Sequence, residues 1–337
     1  MVITFQIVPP PTYDFRMNRR AVVGTFRRMA LWLLIVVLEG SARGQKPDKA
    51  SNNPRTVNVI LTVADDAMRP VNNFTKEKIN LSEDKIPREI ESMVKDVRPA
   101  SIAILLDLTG LVSEQKRTLT SNWISQFISG SNGSNEYTLI GYDTTSVTLC
   151  NWNCGTIDMF RAVQSTTIIE ARANRRTALY DACNFALRQV NGRVNGKRVI
   201  VILGDGMDKG SKTSFTQIRD TIKQSSVLLY DIGIISNAEK PFWQPTSLDY
   251  VRELATLSGG WVDRTSSINE AVERTANIIS AELRNQYLVS FKLTGMADRR
   301  LHPVRIEFTK PIPKPTALQL AISLRYRREF YDNQEDK

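Results

Sequence analysis

The stretch ILLDLTGLVS, residues 104–113, carries an apolar run into Asp107 and follows it with Thr109, Gly110, Leu111 and Ser113. A buried parallel strand brings a chemical group to the edge of a sheet in this way, because its apolar body is covered on both faces and its carboxyl end opens toward solvent. The run covers residues 102–106, and similar runs recur at 137–141, 198–203 and 227–235. Helical spacing separates them. Leu119, Trp123 and Phe127 recur every four residues after Ser113, and Leu179, Cys183, Ala186 and Val190 share a face of a segment that begins near Thr177. In residues 267–287, Ile268, Val272, Ile279 and Leu283 fall on one side. Such stripes read as core-facing helix surfaces. Strand and helix in alternation predict an α/β unit over residues 99–295, with a doubly wound, mostly parallel sheet covered on both faces.

The flanks have a different texture. Residues 45–54, QKPDKASNNP, read as a linker, and TVNVILTV (56–63) alternates as a strand. Two more short strands about a turn follow, so residues 55–98 form a small β unit. YLVSFKL (287–293), HPVRIEF (302–308) and ALQLAISLRYR (317–327) return to strand periodicity, with the stiff connection KPIPKP at 310–315. Neither flank holds enough strands to be stable alone. We expect residues 296–337 to pair with 55–98 in one sandwich-like accessory domain, with the α/β unit inserted between them.

Arg19, Arg20, Arg27 and Arg28 precede the apolar run MALWLLIVVL (29–38), and EGSARGQ then supplies small residues for cleavage, with Ala42 and Gly44 at −3 and −1. Residues 1–44 therefore read as a signal peptide, with translation starting at Met1 or Met17. The expected location is exported: periplasm, cell surface or extracellular space. No later stretch approaches the length of a membrane span, so none is expected in the mature chain. The formal charge is +10, but Lys and Arg are scattered among acids, which argues against a nucleic-acid partner. Cys150 and Cys154, in LCNWNCG, are candidates for a disulfide in an oxidising compartment, while Cys183 sits in a helical stripe as a small buried residue. With a single histidine, His302, and no second cysteine pair, a zinc site of the structural type is not expected.

Ligands of a doubly wound sheet gather beyond the carboxyl ends of its strands. Asp107 ends one strand, and Asp205 ends RVIVILGD (198–205). Thr177, in NRRTALYDA, opens a helix toward the same crevice. With Thr109 these residues form an all-oxygen set suited to a hard divalent cation such as Mg²⁺.

The order Asp107-Leu-Thr109-Gly-Leu111, then Thr177, then GDGMD with Asp205 resembles the von Willebrand factor type A domain and its metal-ion-dependent adhesion site. The nearest likeness is to the bacterial secreted, acidobacterial-type VWFA-related domains, because VADDAMRPV, LSEDKIPREI, ELATLSGGWV and NQYLVSF also fall where that group has similar text. The resemblance implies a Rossmann-like fold and a site of the form Asp-x-Ser-x-Ser completed by a later Thr and Asp, whose open position takes a carboxylate from a protein partner. Asp107, Thr177 and Asp205 match, and Thr109 replaces the first serine while keeping a hydroxyl. Leu111 replaces the second serine and removes a ligand, so the expected site is degenerate.

The implied function is adhesion-type protein–protein interaction in which a partner's acidic side chain reaches the metal. The alternative is a metal-free structural or assembly component of the cell envelope, with Asp107 accepting hydrogen bonds from Thr177 and nearby backbone amides. Catalysis ranks third. Thr109 stands where an Asp-x-Asp phosphoryl-transfer enzyme needs its second acid, His302 lies outside the α/β region, and no Gly-x-Ser-x-Gly elbow or phosphate-binding glycine loop follows a strand.

Overall fold

The computed structural model describes residues 54–111, 113–166, 176–233, 245–263, 268–295, 297–310 and 321–332. The expectations for residues 1–53, and most of the 310–315 connection, lie outside the described residues. The described residues begin with four strands: β1 (Arg55–Asp65), β2 (Ile79–Glu83), β3 (Ile86–Arg88) and β4 (Ile90–Lys95). The α/β unit then runs β5 (Ala100–Asp107), α1 (Glu114–Gly130), β6 (Glu136–Tyr142), β7 (Ser146–Cys150), α2 (Thr156–Ser165), α3 (Leu179–Asn191), β8 (Lys197–Gly204) and α4 (Phe215–Gln224). It continues with β9 (Val227–Gly233), α5 (Pro245–Ser258), β10 (Val262–Asp263) and α6 (Ile268–Asn285). The chain closes with β11 (Tyr287–Leu293), β12 (Leu301–Phe308), β13 (Ile322–Tyr326) and β14 (Glu329–Tyr331).

The central sheet has the order β10-β9-β8-β5-β6-β7. All its pairings are parallel except that of edge strand β7 on β6. β5 is buried along its whole length, as a strand covered on both faces must be. One apolar cluster on the sheet contains Ile104 and Leu106 with Trp123 and Phe127 of α1 and Ile279 of α6. The other contains Ala103 and Leu105 with Cys183, Ala186 and Val190 of α3. The helices begin where local chemistry says they should. Ser113 caps α1 by accepting from Lys116 N, and Ser214 and Gln217 form a reciprocal capping box on α4. A disulfide joins Cys150 to Cys154, and Cys183 is a free, buried thiol.

The flanking strands build two antiparallel sheets, β13-β1-β11-β4 and β14-β12-β2-β3. Leu61, Phe74, Leu81, Val289, Phe291 and Ile306 share a single apolar cluster drawn from both sheets. β11 pairs with β1 and β4, so residues 287–293 hydrogen-bond in the sandwich and α6 is the last element packed on the parallel sheet. Two buried polar hubs join the units. Lys197 Nζ donates to the carbonyls of Asp96 and Leu283 at 3.2 and 3.0 Å. Glu282 of α6 accepts from Tyr230 Oη at 2.9 Å, Trp261 Nε1 at 3.0 Å and Arg325 at 2.6 Å. Among the described residues no helix is long and apolar enough to cross a membrane.

Candidate metal centre at the carboxyl edge of the sheet

Asp107 is the last residue of β5, and Asp205 follows the last residue of the neighbouring strand β8, so the parallel pairing alone brings two carboxylates to one crevice. Asp107 is 3% exposed. Its Oδ1 accepts from the Thr109 backbone N–H at 2.9 Å and the Thr109 hydroxyl at 2.7 Å, which winds residues 108–110 into one tight turn. Burial first, and then the charge of Asp205, push the Asp107 carboxyl up to about 6, against the pull of its bonds to Thr109. The cause is elementary: a carboxylate without water, beside another carboxylate, is costly to ionise.

Met207 links the other two predicted residues. Thr177, 3% exposed, donates its hydroxyl proton to the Met207 carbonyl at 2.8 Å, and Asp205 Oδ1 accepts from the Met207 N–H at 2.8 Å. Gly206 between them has φ +69°, which a side-chain-bearing residue resists. Asp208 and Asp181 secure the same loop to α3: Asp208 accepts from Tyr180 N at 3.2 Å, and Asp181 accepts from the N–H groups of Lys212 and Thr213, each at 2.9 Å. Thr177 therefore bonds to Met207 and not to Asp107, against the expectation for a metal-free crevice; of the anticipated donors to Asp107, the backbone amide at Thr109 is present.

Leu111 is 6% exposed and belongs to the apolar cluster under α1. The position that offers a serine oxygen in the resembling motif here fills the core. Ser113 is committed to capping α1 and adds nothing to the crevice.

One residue of this site escaped the sequence reading. Tyr142 is the register partner of Asp107 on β6, so their side chains leave the sheet on the same face. It is fully buried, and its hydroxyl has no hydrogen-bond partner. Gly204 supplies the room: a Cβ there would stand 2.7 Å from Asp107 Cβ, 3.0 Å from Tyr142 Oη and 3.3 Å from Asp107 Oδ2. Burial, then the charges of Asp107 and Asp205, hold the phenol well above its ordinary value, so it remains a donor at any physiological pH. The signal was the shared strand end, invisible until register is known.

This chemistry fits a hard divalent cation. Asp107 and Asp205 repel one another, Thr109 and Thr177 add hydroxyl oxygens, and an unpartnered hydroxyl oxygen, Tyr142 Oη, lies beside them. Asp107 and Asp205 would hold the ion with Thr109 close by, and water would take the place that Leu111 vacates, since Mg²⁺ commonly keeps several waters.

The chain belongs to the von Willebrand factor type A domain family, whose model matches residues 101–276. Solved structures with similar folds include an aerotolerance-related membrane protein from Bacteroides fragilis NCTC 9343, with 16% identity, TM-score 0.42, and 54% of this chain against 98% of that one. A von Willebrand factor type A protein from Catenulispora acidiphila is similar at 10% identity and TM-score 0.45, over 78% of this chain and 75% of that one. Proximal thread matrix protein 1 from the mussel byssus, whose adhesion-site motif holds zinc, is similar at 15% identity and TM-score 0.43, over 60% of this chain and 49% of that one. No curated protein matches the chain by sequence.

Proposed function

We propose that this chain is an exported bacterial interaction protein whose loop face around Asp107, Thr109, Thr177 and Asp205 binds an acidic protein partner through a hard divalent cation, Mg²⁺ in the cell. The observation that carries the reading is the pair Asp107 and Asp205. Two carboxylates at neighbouring strand ends, one pushed up to about 6 by burial and by the other, are an electrostatic debt that a divalent cation cancels. A partner's Asp or Glu would then complete the ion's oxygen shell in a partly dry crevice, where its charge counts for more than in an exposed ion pair. The role is binding and not catalysis: the chain's single histidine lies on β12, in the sandwich, and the sequence carries neither a Gly-x-Ser-x-Gly elbow nor a phosphate-binding glycine loop after a strand. Export rests on the basic-then-apolar N-terminal pattern, and sequencing the N-terminus of the mature protein tests it.

Isothermal titration of Mg²⁺ into the purified protein, with Asp205→Ala as control, tests the metal. Saturable binding that disappears in the variant supports the reading. No heat at millimolar metal sinks it and leaves a metal-free envelope component as the better account.

A further inference from the structure

The sole histidine of the chain stands where carboxylates from both flanks meet. His302, on β12, is 7% exposed, with the Phe330 ring stacked on its imidazole at 5.2 Å. Its two nitrogens have different surroundings. Nε2 lies 2.9 Å from Asp298 Oδ1, and Arg300 Nε holds the other oxygen of that carboxylate at 2.7 Å. Nδ1 lies 2.6 Å from Glu83 Oε1 and 2.9 Å from Asp84 Oδ2. Once Nε2 carries the proton that Asp298 accepts, Nδ1 turns its lone pair toward two carboxylates. An imidazole nitrogen and two carboxylate oxygens facing one point call for positive charge there, which a proton on Nδ1 or a metal ion supplies. An imidazole that donates through one nitrogen to a carboxylate and presents the other to anionic oxygens has the arrangement of a metal-ligating histidine with its supporting carboxylate.

The remaining atoms are arranged to match. Glu83 is 2% exposed, and Arg88 occupies its Oε2 at 2.8 Å, so Oε1 is the oxygen offered to the imidazole. Asp84 sits in the turn after β2, with its side chain 41% exposed, and gives an ion a way in from solvent. Ligating atoms of Glu83, Asp84 and His302 all lie within 4.8 Å of one another.

We propose that His302 Nδ1, Glu83 Oε1 and Asp84 Oδ2 bind a divalent transition metal of the Zn²⁺ or Mn²⁺ class, with water completing the shell. One imidazole and two carboxylates suit borderline Zn²⁺ better than Mg²⁺ or Ca²⁺, which favour oxygen alone, and Mn²⁺ accepts the same mixed set. The site is separate from the Asp107 crevice and does not depend on its reading. It bridges residues 218 positions apart, tying the β2–β3 turn to β12 and hence the N-terminal flank to the C-terminal one.

A chain with one histidine makes the test specific, because any imidazole signal reports this position. Zn²⁺ is titrated into full-length Asp205→Ala protein, which lacks the crevice site, while the His302 ring resonances are followed by NMR; Mn²⁺ is followed in parallel by pulsed EPR for nitrogen coupling. The expected result is one equivalent of Zn²⁺, displaced ring resonances, ¹⁴N coupling to bound Mn²⁺, and at least tenfold weaker binding when Asp84→Asn is added. Asp84 is exposed, so that variant keeps the fold even where His302→Gln loosens it. Ring resonances that titrate with pH but ignore millimolar Zn²⁺ overturn the site and leave a proton in the metal's place; unchanged affinity in the Asp84→Asn protein overturns it equally.

Discussion

Lys197 Nζ, at the first residue of the central strand β8, sits 3.1 Å from Asp96 Oδ2, and neither side chain reaches solvent. Asp96 lies between the last sandwich strand of the N-terminal flank and the first strand of the parallel sheet, so this ion pair is the rivet between the two units. Burial works to raise the Asp96 carboxyl, but bonds from Arg98 at 2.8 and 3.0 Å, together with the charge of Lys197, hold it below its ordinary value. Removing one member of a buried pair strands the other. Lys197→Met is expected to cost about 3 kcal/mol in urea denaturation; a loss under about 1 kcal/mol would mean that Arg98 alone satisfies the carboxylate.

Asp107 makes the metal-free protein pH-sensitive. Its folded value of about 6 lies above the ordinary carboxyl value, so the fold prefers the protonated form. The stabilisation this preference supplies is complete below about pH 4 and is lost as pH rises through 6. Asp107→Asn, which imitates the protonated acid, is expected to stabilise metal-free protein at pH 8 by about 2–3 kcal/mol, and by nothing at pH 4. Chemical denaturation in chelator at the two pH values checks the difference, and an equal effect at both would refute it.

Leu111 sets affinity against stability. Leu111→Ser restores an oxygen at the position where the adhesion motif has one and removes an apolar side chain from under α1. Tighter Mg²⁺ binding together with a loss of about 2–4 kcal/mol in metal-free stability is expected. Calorimetry and thermal melts read the two effects separately.

Gly204 and Tyr142 are a matched pair. A Cβ at residue 204 meets Asp107 Cβ at 2.7 Å, so Gly204→Ser is expected to destabilise by about 1–3 kcal/mol through overpacking. Tyr142→Phe deletes a buried hydroxyl without a partner and is expected to be neutral or stabilising by up to about 1 kcal/mol in metal-free protein. A marked loss in Tyr142→Phe would show that its hydroxyl is bonded in solution.

The legible parts of this fold were those where one physical demand dominates. β5, β6, β8 and β9 are covered on both faces, so they read as unbroken apolar runs, and α1, α3 and α6 bury long stripes. α2 and β7 were missed, and α4 and α5 were given no bounds of their own. In α2, Met159 and Val163 face inward while Ile157 and Phe160 are exposed, so hydrophobicity does not mark its inner face. In α4 only Ile218 and Ile222 are buried, too few to define a period. β7 is a short edge strand with Val147 turned outward. At the crevice, Asp107 and Asp205 announce themselves because each ends an apolar run; Tyr142 acts through cross-strand register and through the emptiness of Gly204, and neither is local in sequence.

The placement of the α/β unit between β4 and β11 also dictates an order of assembly. Lys95 and Tyr287 are register partners, so the chain leaves the sandwich and re-enters it at adjacent points. During synthesis β1 and β4 must wait for β11, while the α/β unit can condense on its own two apolar clusters as soon as α6 emerges. Once condensed, it holds the two chain ends together and spares the sandwich the entropy of closing so long a loop. The inserted unit is therefore expected to act as the folding template for the strands that flank it, with damage to its core appearing first as a failure of the sandwich to close.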